Sequence, residues 1–203
     1  MKRLFSKSLK SETGSISVEA ILMFPLLVWA YMGMYVFFEG LRESNINLKA
    51  TYTVADLLSR EEEEMNRPKL ERMHAVYRWM SRSLEDFVQL RVSVVRFHED
   101  GDWYELMWSE PVNGVEDLEQ ADVSEVLQPH VPIMADQSSA IVVETWTIYQ
   151  PIMRIGLQNN VDIYNIVVTS PRAGKLDWEG ANDGTGSDHN DNVDDDPDNL
   201  DGT

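Results

Sequence analysis

The sequence predicts an α+β protein in which a long N-terminal helix leads into an antiparallel sheet of about four strands. A 23-residue apolar run covers residues 16–38, and apolar side chains then recur at helical spacing from Leu41 to Leu58 and again from Leu70 to Phe87. Alternating segments rich in β-branched and aromatic residues begin at Leu90. Amphipathic helices need an apolar surface to cover, and half-apolar strands supply one.

The apolar run predicts a transmembrane helix at residues 15–38. A helix needs about 20 residues to cross the hydrocarbon core of a bilayer, and Pro25 is tolerated in such helices. Glu19 is the only charged residue of the run. A carboxylate costs about 2.5–3.5 kcal/mol at the centre of a membrane helix, so a plain anchor has no reason to carry one, and we expect Glu19 to have a role.

A basic leader, residues 1–14, precedes the run. It carries four Lys and Arg residues and one Glu, whereas the opposite flank begins with Glu39, Arg42 and Glu43. Lys and Arg concentrate on the cytoplasmic side of membrane helices. The sequence therefore predicts a cytoplasmic N-terminus, with everything after Phe38 on the far side of the membrane, the periplasm in a Gram-negative cell.

Two helices are predicted beyond the membrane. The first continues the apolar run, and the four glutamates at 61–64 are interpreted as its solvated end, with a docking patch for a basic partner as the alternative. Pro68 favours the first turn of the second helix. The apolar stripe of that second helix predicts a core face and consists of Leu70, Met73, Val76, Tyr77, Met80, Leu84 and Phe87.

Four strands follow, at Leu90 to Phe97, Trp103 to Trp108, Ala140 to Tyr149 and Asp162 to Thr169. Asp100-Gly101 predicts a type I′ turn between the first two. Asp122 with Glu125 indicates a capping box that opens a short helix ending near Leu127.

Residues 181–203 contain eight Asp and no Lys or Arg. Such a segment cannot bury enough apolar surface to offset its ordering entropy, so the sequence predicts a disordered acidic tail. A calcium site is the alternative, because carboxylates are hard oxygen ligands. The weak candidate ligands are Asp191, Asp194, Asp195 and Asp196.

Composition excludes several functions. The net charge of −18 argues against nucleic-acid binding, and the absence of Cys excludes disulfides, thiolate metal sites and a Cys nucleophile. The four histidines lie outside any metalloprotease or nucleophile-elbow motif. We therefore expect no catalytic residues, no enzyme activity and no cofactor.

The N-terminal segment resembles a known family. Gly14 followed by Glu19 at the fifth position is similar to the processing pattern of type IV prepilins and pseudopilins. The wider segment from Thr13 to Leu27, TGSISVEAILMFPLL, resembles the TadE/TadG-like family of Tad (tight adherence) pilus assembly proteins. The later segment IVVETWTIYQP, which starts at Ile141, is similar to a strand near the end of TadE-like domains.

The resemblance implies a pilin-like periplasmic domain at residues 39–180 and a minor pseudopilin role in a Tad-type (type IVb) pilus system. A prepilin peptidase would cleave between Gly14 and Ser15, and Glu19 would pair with the Ser15 amine of a neighbouring subunit. The implied partners are that peptidase, other pilins and pseudopilins, and the inner-membrane pilus platform. The implied location is the inner membrane, as a single-pass protein in or at the base of a surface pilus.

Two alternatives stay open on the residues alone. One is a signal-anchored periplasmic binding module with no pilus role. The other is a cleaved secretory signal, since Val28-Trp29-Ala30 loosely imitates a signal-peptidase site; its product would begin at Tyr31.

Overall fold

The computed structural model describes residues 12–84, 87–151, 153, 160–172 and 174–180, with the backbone alone for 12–16. Helix α1 runs without interruption from Glu12 to Ser59, 48 residues or about 72 Å at 1.5 Å per residue. The expected continuation of the apolar helix into the folded domain is confirmed.

The four glutamates do not form the end of α1. The helix ends at Ser59, and residues 61–64 belong to the connection that follows. Lys69 Nζ lies 2.9 Å from Glu61 Oε1 and 2.8 Å from Glu63 Oε2. The glutamates are solvated as interpreted, since residues 62–64 are exposed, but they follow the helix end instead of forming it, and Lys69 joins them to the next helix.

Helix α2 spans Arg67–Ser81. Asn66 caps it by accepting a hydrogen bond from Lys69 N at 3.1 Å, and Pro68 lies in the first turn as predicted. The helix ends where Arg82 adopts a left-handed φ of 55°. The predicted extension of its apolar stripe to Leu84 and Phe87 is wrong, since Leu84 lies beyond the helix and is 70% exposed.

The sheet has the expected four antiparallel strands, in the order β2-β1-β3-β4. Their bounds are β1 Val88–His98, β2 Trp103–Val112, β3 Ser139–Tyr149 and β4 Val161–Thr169.

The predicted type I′ turn at Asp100-Gly101 is wrong. Four residues, 99–102, connect β1 to β2, and the left-handed residue is Asp102, with φ of 51°. Asp tolerates this conformation better than most residues other than glycine, which explains why the dipeptide signal misplaced the turn.

The short helix α3 covers Val123–Val126 and follows a 3₁₀ turn at Gln120–Asp122. The capping box belongs to the 3₁₀ turn and begins at Glu119, three residues before the predicted position. Glu119 N donates to Asp122 Oδ2 at 3.2 Å, whereas Asp122 makes no side-chain cap to α3.

Both faces of the sheet are covered. Helices α1 and α2 pack on one face around Leu58, Leu70 and Tyr77, each 0% exposed. The segment that contains α3 covers the other face through Leu118, Val123, Leu127 and Val131. Met65 forms a parallel bridge with Trp178, which brings residues 174–180 beside the connection between α1 and α2. The described fold is therefore α+β, with the sheet in the middle layer.

Candidate functional site

The N-terminal half of α1 is an apolar helix that the rest of the described chain leaves largely uncovered. Ile21, Leu22 and Phe24 are 71%, 71% and 68% exposed, and Trp29 is 65% exposed. Among residues 17–59 of α1, Val36 is the first apolar residue to be buried, at 3% exposure. The helix is long and apolar enough to cross a membrane, so a bilayer or other apolar surroundings would cover the side chains that the domain does not.

Glu19 lies on this uncovered part of α1. Its side chain is exposed, and within the described residues it makes no hydrogen bond or ion pair. It precedes Phe38 by 19 residues, about 28 Å along a helix, which is close to the thickness of a hydrocarbon core of about 30 Å. Glu19 and Phe38 therefore lie at opposite boundaries of one membrane-length segment.

Gly14 and Ser15 lie in the first turn of α1, which begins at Glu12. Backbone N–H groups of a first helical turn have no partner within the helix, and glycine disfavours a helix by about 1 kcal/mol relative to Ala. Ser15 precedes Glu19 by four residues, so the two positions lie on one face of the helix, about 5–6 Å apart. The two predicted processing residues and the carboxylate are therefore on neighbouring turns.

The C-terminal half of α1 is held in the domain by buried polar contacts. Tyr77 Oη donates to Asn47 Oδ1 at 2.9 Å and lies 2.8 Å from Thr147 Oγ1. One turn further along α1, Thr51 Oγ1 lies 2.9 Å from Thr145 Oγ1. Asn47 and Thr51 are each 0% exposed. These contacts join α1, α2 and β3, and they fix the direction in which the exposed half of α1 leaves the domain.

A buried ion pair lies on the opposite face of the sheet. Arg91 and Glu144 are directly opposite each other on β1 and β3, with side chains 9% and 1% exposed. Arg91 Nε donates to Glu144 Oε2 at 2.8 Å, and Tyr164 Oη donates to Glu144 Oε1 at 2.8 Å. The guanidinium also donates to the Glu116 carbonyl at 3.2 Å and lies 5.3 Å from the centre of the Trp146 ring.

The side chains of this cluster satisfy one another and join three neighbouring strands. Both oxygens of Glu144 accept hydrogen bonds, which is the arrangement that makes a buried carboxylate tolerable. Burial, together with the negative charge of Glu144, raises the pKa of Tyr164 well above its ordinary value. The tyrosine therefore stays protonated as a donor, and the three side chains brace β1, β3 and β4.

The described histidines have structural partners. His74 is buried and its Nε2 donates to the Val88 carbonyl at 3.1 Å. His98 Nε2 lies 2.8 Å from Glu105 Oε2, and its ring stacks on Trp103. His130 Nδ1 donates to the Val126 carbonyl at 3.2 Å. No cluster that could hold a metal ion occurs among the residues that the structure describes.

The candidate calcium ligands, Asp191, Asp194, Asp195 and Asp196, and the predicted tail that contains them, lie outside the described residues. Neither that weak site nor the disorder of the tail is tested by the structure.

Sequence reasoning missed the buried polar contacts entirely. Asn47, Thr51 and Tyr77 show no sign of a shared network in the sequence. The β3 partners of Thr51 and Tyr77 are 94 and 70 residues away, and Asn47 is 30 residues from Tyr77. The ion pair was equally hidden, since Arg91 and Glu144 are 53 residues apart. Only the strand register, which a single sequence does not provide, brings these side chains together.

Comparison of the chain with family models, with curated proteins and with solved structures finds no match. The resemblance to TadE/TadG-like proteins therefore rests on the N-terminal residues and the β3 segment quoted above.

Proposed function

We propose that the chain is a minor pseudopilin-like structural component of a Tad-type (type IVb) pilus assembly and secretion system. In this proposal it is a single-pass inner-membrane protein with a cytoplasmic N-terminus and a periplasmic domain at residues 39–180. A prepilin peptidase processes it, and it assembles with other pilins and pseudopilins on the membrane platform.

One observation carries the proposal. A single unbroken helix, Glu12–Ser59, has one half exposed and apolar and the other half built into an α+β domain. The only charge in its apolar run is Glu19, five residues after Gly14. A simple membrane anchor accounts for the apolar surface but not for the carboxylate of Glu19. A subunit that assembles through this helix accounts for the apolar surface and for the carboxylate.

The proposed processing is hydrolysis of the peptide bond between Gly14 and Ser15. Water adds across that bond, so the released leader ends in the Gly14 carboxylate and the mature chain begins with the Ser15 amine. The location of the bond in the first turn of α1 supports access, because only a few backbone hydrogen bonds have to open there. Gly14 offers the peptidase no side chain to accommodate.

The new amine gives Glu19 a partner. In surroundings of low dielectric, a carboxylate beside an ammonium group is far more stable than a carboxylate without a partner. Side-by-side packing of α1 from neighbouring subunits would bring the Ser15 amine of one subunit to Glu19 of the next. The pairing would therefore favour mature chains over unprocessed ones during assembly.

Deletion of the gene in the native host tests the proposal, with surface pili and adhesion as readouts. We expect both to be lost and to return with the unchanged chain. Gly14→Leu should remain in the membrane uncleaved and fail to restore pili, whereas the matched leader change Thr13→Ala should restore them. Normal pili in the deletion strain would contradict the proposal and would favour the anchored binding module instead.

A further inference from the structure

We infer that the end of the domain nearest the apolar run of α1 is a lipid-binding surface, with Met153 inserted in the hydrocarbon core of the bilayer. This inference rests on the membrane-anchor part of the proposed function. It concerns Met153, between β3 and β4, and the C-terminal end of α2, neither of which has a role in the proposed function.

Distances along the axis of helix α1 give the depth of this end of the molecule relative to the first charged residue after the apolar run. Met153 lines an apolar cavity of about 410 Å³ together with α1 side chains between Phe24 and Tyr35. Tyr35 precedes Glu39, the first charged residue after the run, by about 6 Å, and Phe24 precedes it by about 22 Å along the helix axis. Met153 therefore lies beside the apolar run itself, below the level at which charged residues begin.

The cavity suits an acyl chain. Its walls are the side chains of Met153 and of α1, whose polar atoms are only the hydroxyl groups of Tyr31 and Tyr35. Met153 is 42% exposed, so the described residues leave the cleft open. In a bilayer this cleft would face lipid in the hydrocarbon core, where an acyl chain can fill it without loss of a polar contact.

The surface above the cleft, here called the rim, consists of Glu43, Arg82, Leu84 and Tyr149 and lies at the level of the lipid headgroups. Arg82, Leu84 and Tyr149 line one depression with Glu43. Glu43 follows Phe38 by five residues, about 7.5 Å of helix, and the polar layer on each side of a bilayer is about 5–8 Å thick. Leu84 is 70% exposed. Tyrosine is enriched at this level of membrane proteins, and an arginine there can contact lipid phosphates.

The opposite end of the domain is acidic, whereas at the rim Arg82 lies beside Glu43. Strand β1 runs away from the apolar run, since Val88 pairs with Thr147 near the rim and Arg96 pairs with Ser139 at the far end. The turn beyond β1 holds Glu99, Asp100 and Asp102, all exposed. An anionic bilayer would repel that acidic turn more strongly than the rim, where Arg82 offsets Glu43.

Single-cysteine labelling tests the inference cleanly, because the natural chain has no Cys. The full chain is reconstituted in phosphatidylethanolamine and phosphatidylglycerol vesicles with a nitroxide at Met153→Cys. Leu27→Cys, 63% exposed in the apolar run, is the anchor reference, and Ile133→Cys, 79% exposed, is the aqueous reference. The ratio of oxygen accessibility to nickel-chelate accessibility reports the depth of each label.

We expect labels at 27 and 153 to favour oxygen several-fold over the label at 133. A label at 153 that is as open to the nickel chelate as the label at 133, with 27 still protected, would overturn the inference and leave the anchor intact. Nickel access at 27 as well would overturn the anchor, and the inference with it. Circular dichroism of each labelled chain checks that the fold is retained.

Discussion

Two glutamates of this chain lie in opposite environments. Glu144 is 1% exposed and both of its oxygens accept hydrogen bonds from Arg91 and Tyr164. Glu19 is exposed on an apolar helix surface and has no partner among the described residues. The first carboxylate is satisfied within its own subunit, whereas the proposed function gives the second a partner from a neighbouring subunit. This contrast at the scale of single residues is the physical basis of the assembly proposal.

Glu19→Gln separates anchoring from assembly. The amide keeps the shape and removes the charge, so membrane insertion and leader cleavage should both survive. If Glu19 pairs with the Ser15 amine of a neighbour, assembly should fail, because loss of one member of a buried pair costs about 3–5 kcal/mol. Pilus yield is measured beside cleavage in the same cells, with Glu39→Gln as the matched control near the other end of the run. Normal pili with normal cleavage would refute the pairing.

Tyr164→Phe should change how stability depends on alkaline pH. The pKa of Tyr164 is raised in the folded state by burial and by Glu144, so the folded chain holds this proton more tightly than the unfolded chain does. The resulting stabilisation is complete below the ordinary tyrosine pKa of about 10 and is lost as pH rises above it.

We therefore expect Tyr164→Phe to lower the free energy of unfolding by about 1–3 kcal/mol at neutral pH, since Glu144 loses a donor. As pH rises above about 10, the ordinary tyrosine pKa, the variant should lose less stability than the natural chain. Urea unfolding of the detergent-solubilised chain measures both effects. Tyr52→Phe, 58% exposed, is the control. Equal alkaline losses in the natural chain and the Tyr164 variant would contradict the proposed linkage.

At the scale of elements, periodicity predicted the helices and strands but not their ends. The apolar run, the stripe from Leu70 to Met80 and the four alternating segments all became the expected elements. The end of α2 could not be predicted, because Arg82 rather than a glycine adopts the left-handed cap. The burial of both faces of β1 was also hidden, since the segment that covers the second face is separated from it in sequence.

Tyr77→Phe tests whether polar contacts hold α1 in the domain. Removal of the hydroxyl leaves Asn47 Oδ1 and Thr147 Oγ1 without their shared partner inside the core, which should cost about 1–3 kcal/mol of unfolding free energy. Trp79→Phe is a matched control on the same helix, because Trp79 is 80% exposed, and its effect should stay within about 0.5 kcal/mol. Similar effects of the two changes on chemical denaturation would rule out this role for the tyrosine.

At the scale of the whole molecule, charge and apolar surface are separated along one axis. The uncovered apolar helix is at one end, the rim with Arg82 and Tyr149 follows it, and the acidic turn at 99–102 is at the far end. The composition provides the net charge of −18 but does not show at which end of the fold the charged residues lie. The antiparallel register of β1 and β3 is what assigns each charged segment to an end.

Deletion of residues 181–203 should leave the unfolding midpoint of the chain nearly unchanged. The segment contains eight Asp and few apolar side chains, so it has little surface to bury in the core. Thermal unfolding of the full and truncated chains, each with and without calcium, measures the effect. A large calcium-dependent rise in the midpoint that disappears on truncation would favour the calcium site among Asp191, Asp194, Asp195 and Asp196.

The mature N-terminus tests the central claim most directly. Intact-mass measurement of the protein purified from its native host identifies the first residue without any label or variant. A processed pseudopilin begins at Ser15 and lacks the whole basic leader. A chain that begins at Met1 would be an uncleaved anchor, and one that begins at Tyr31 would be a secreted product. Either of these two results would contradict the account.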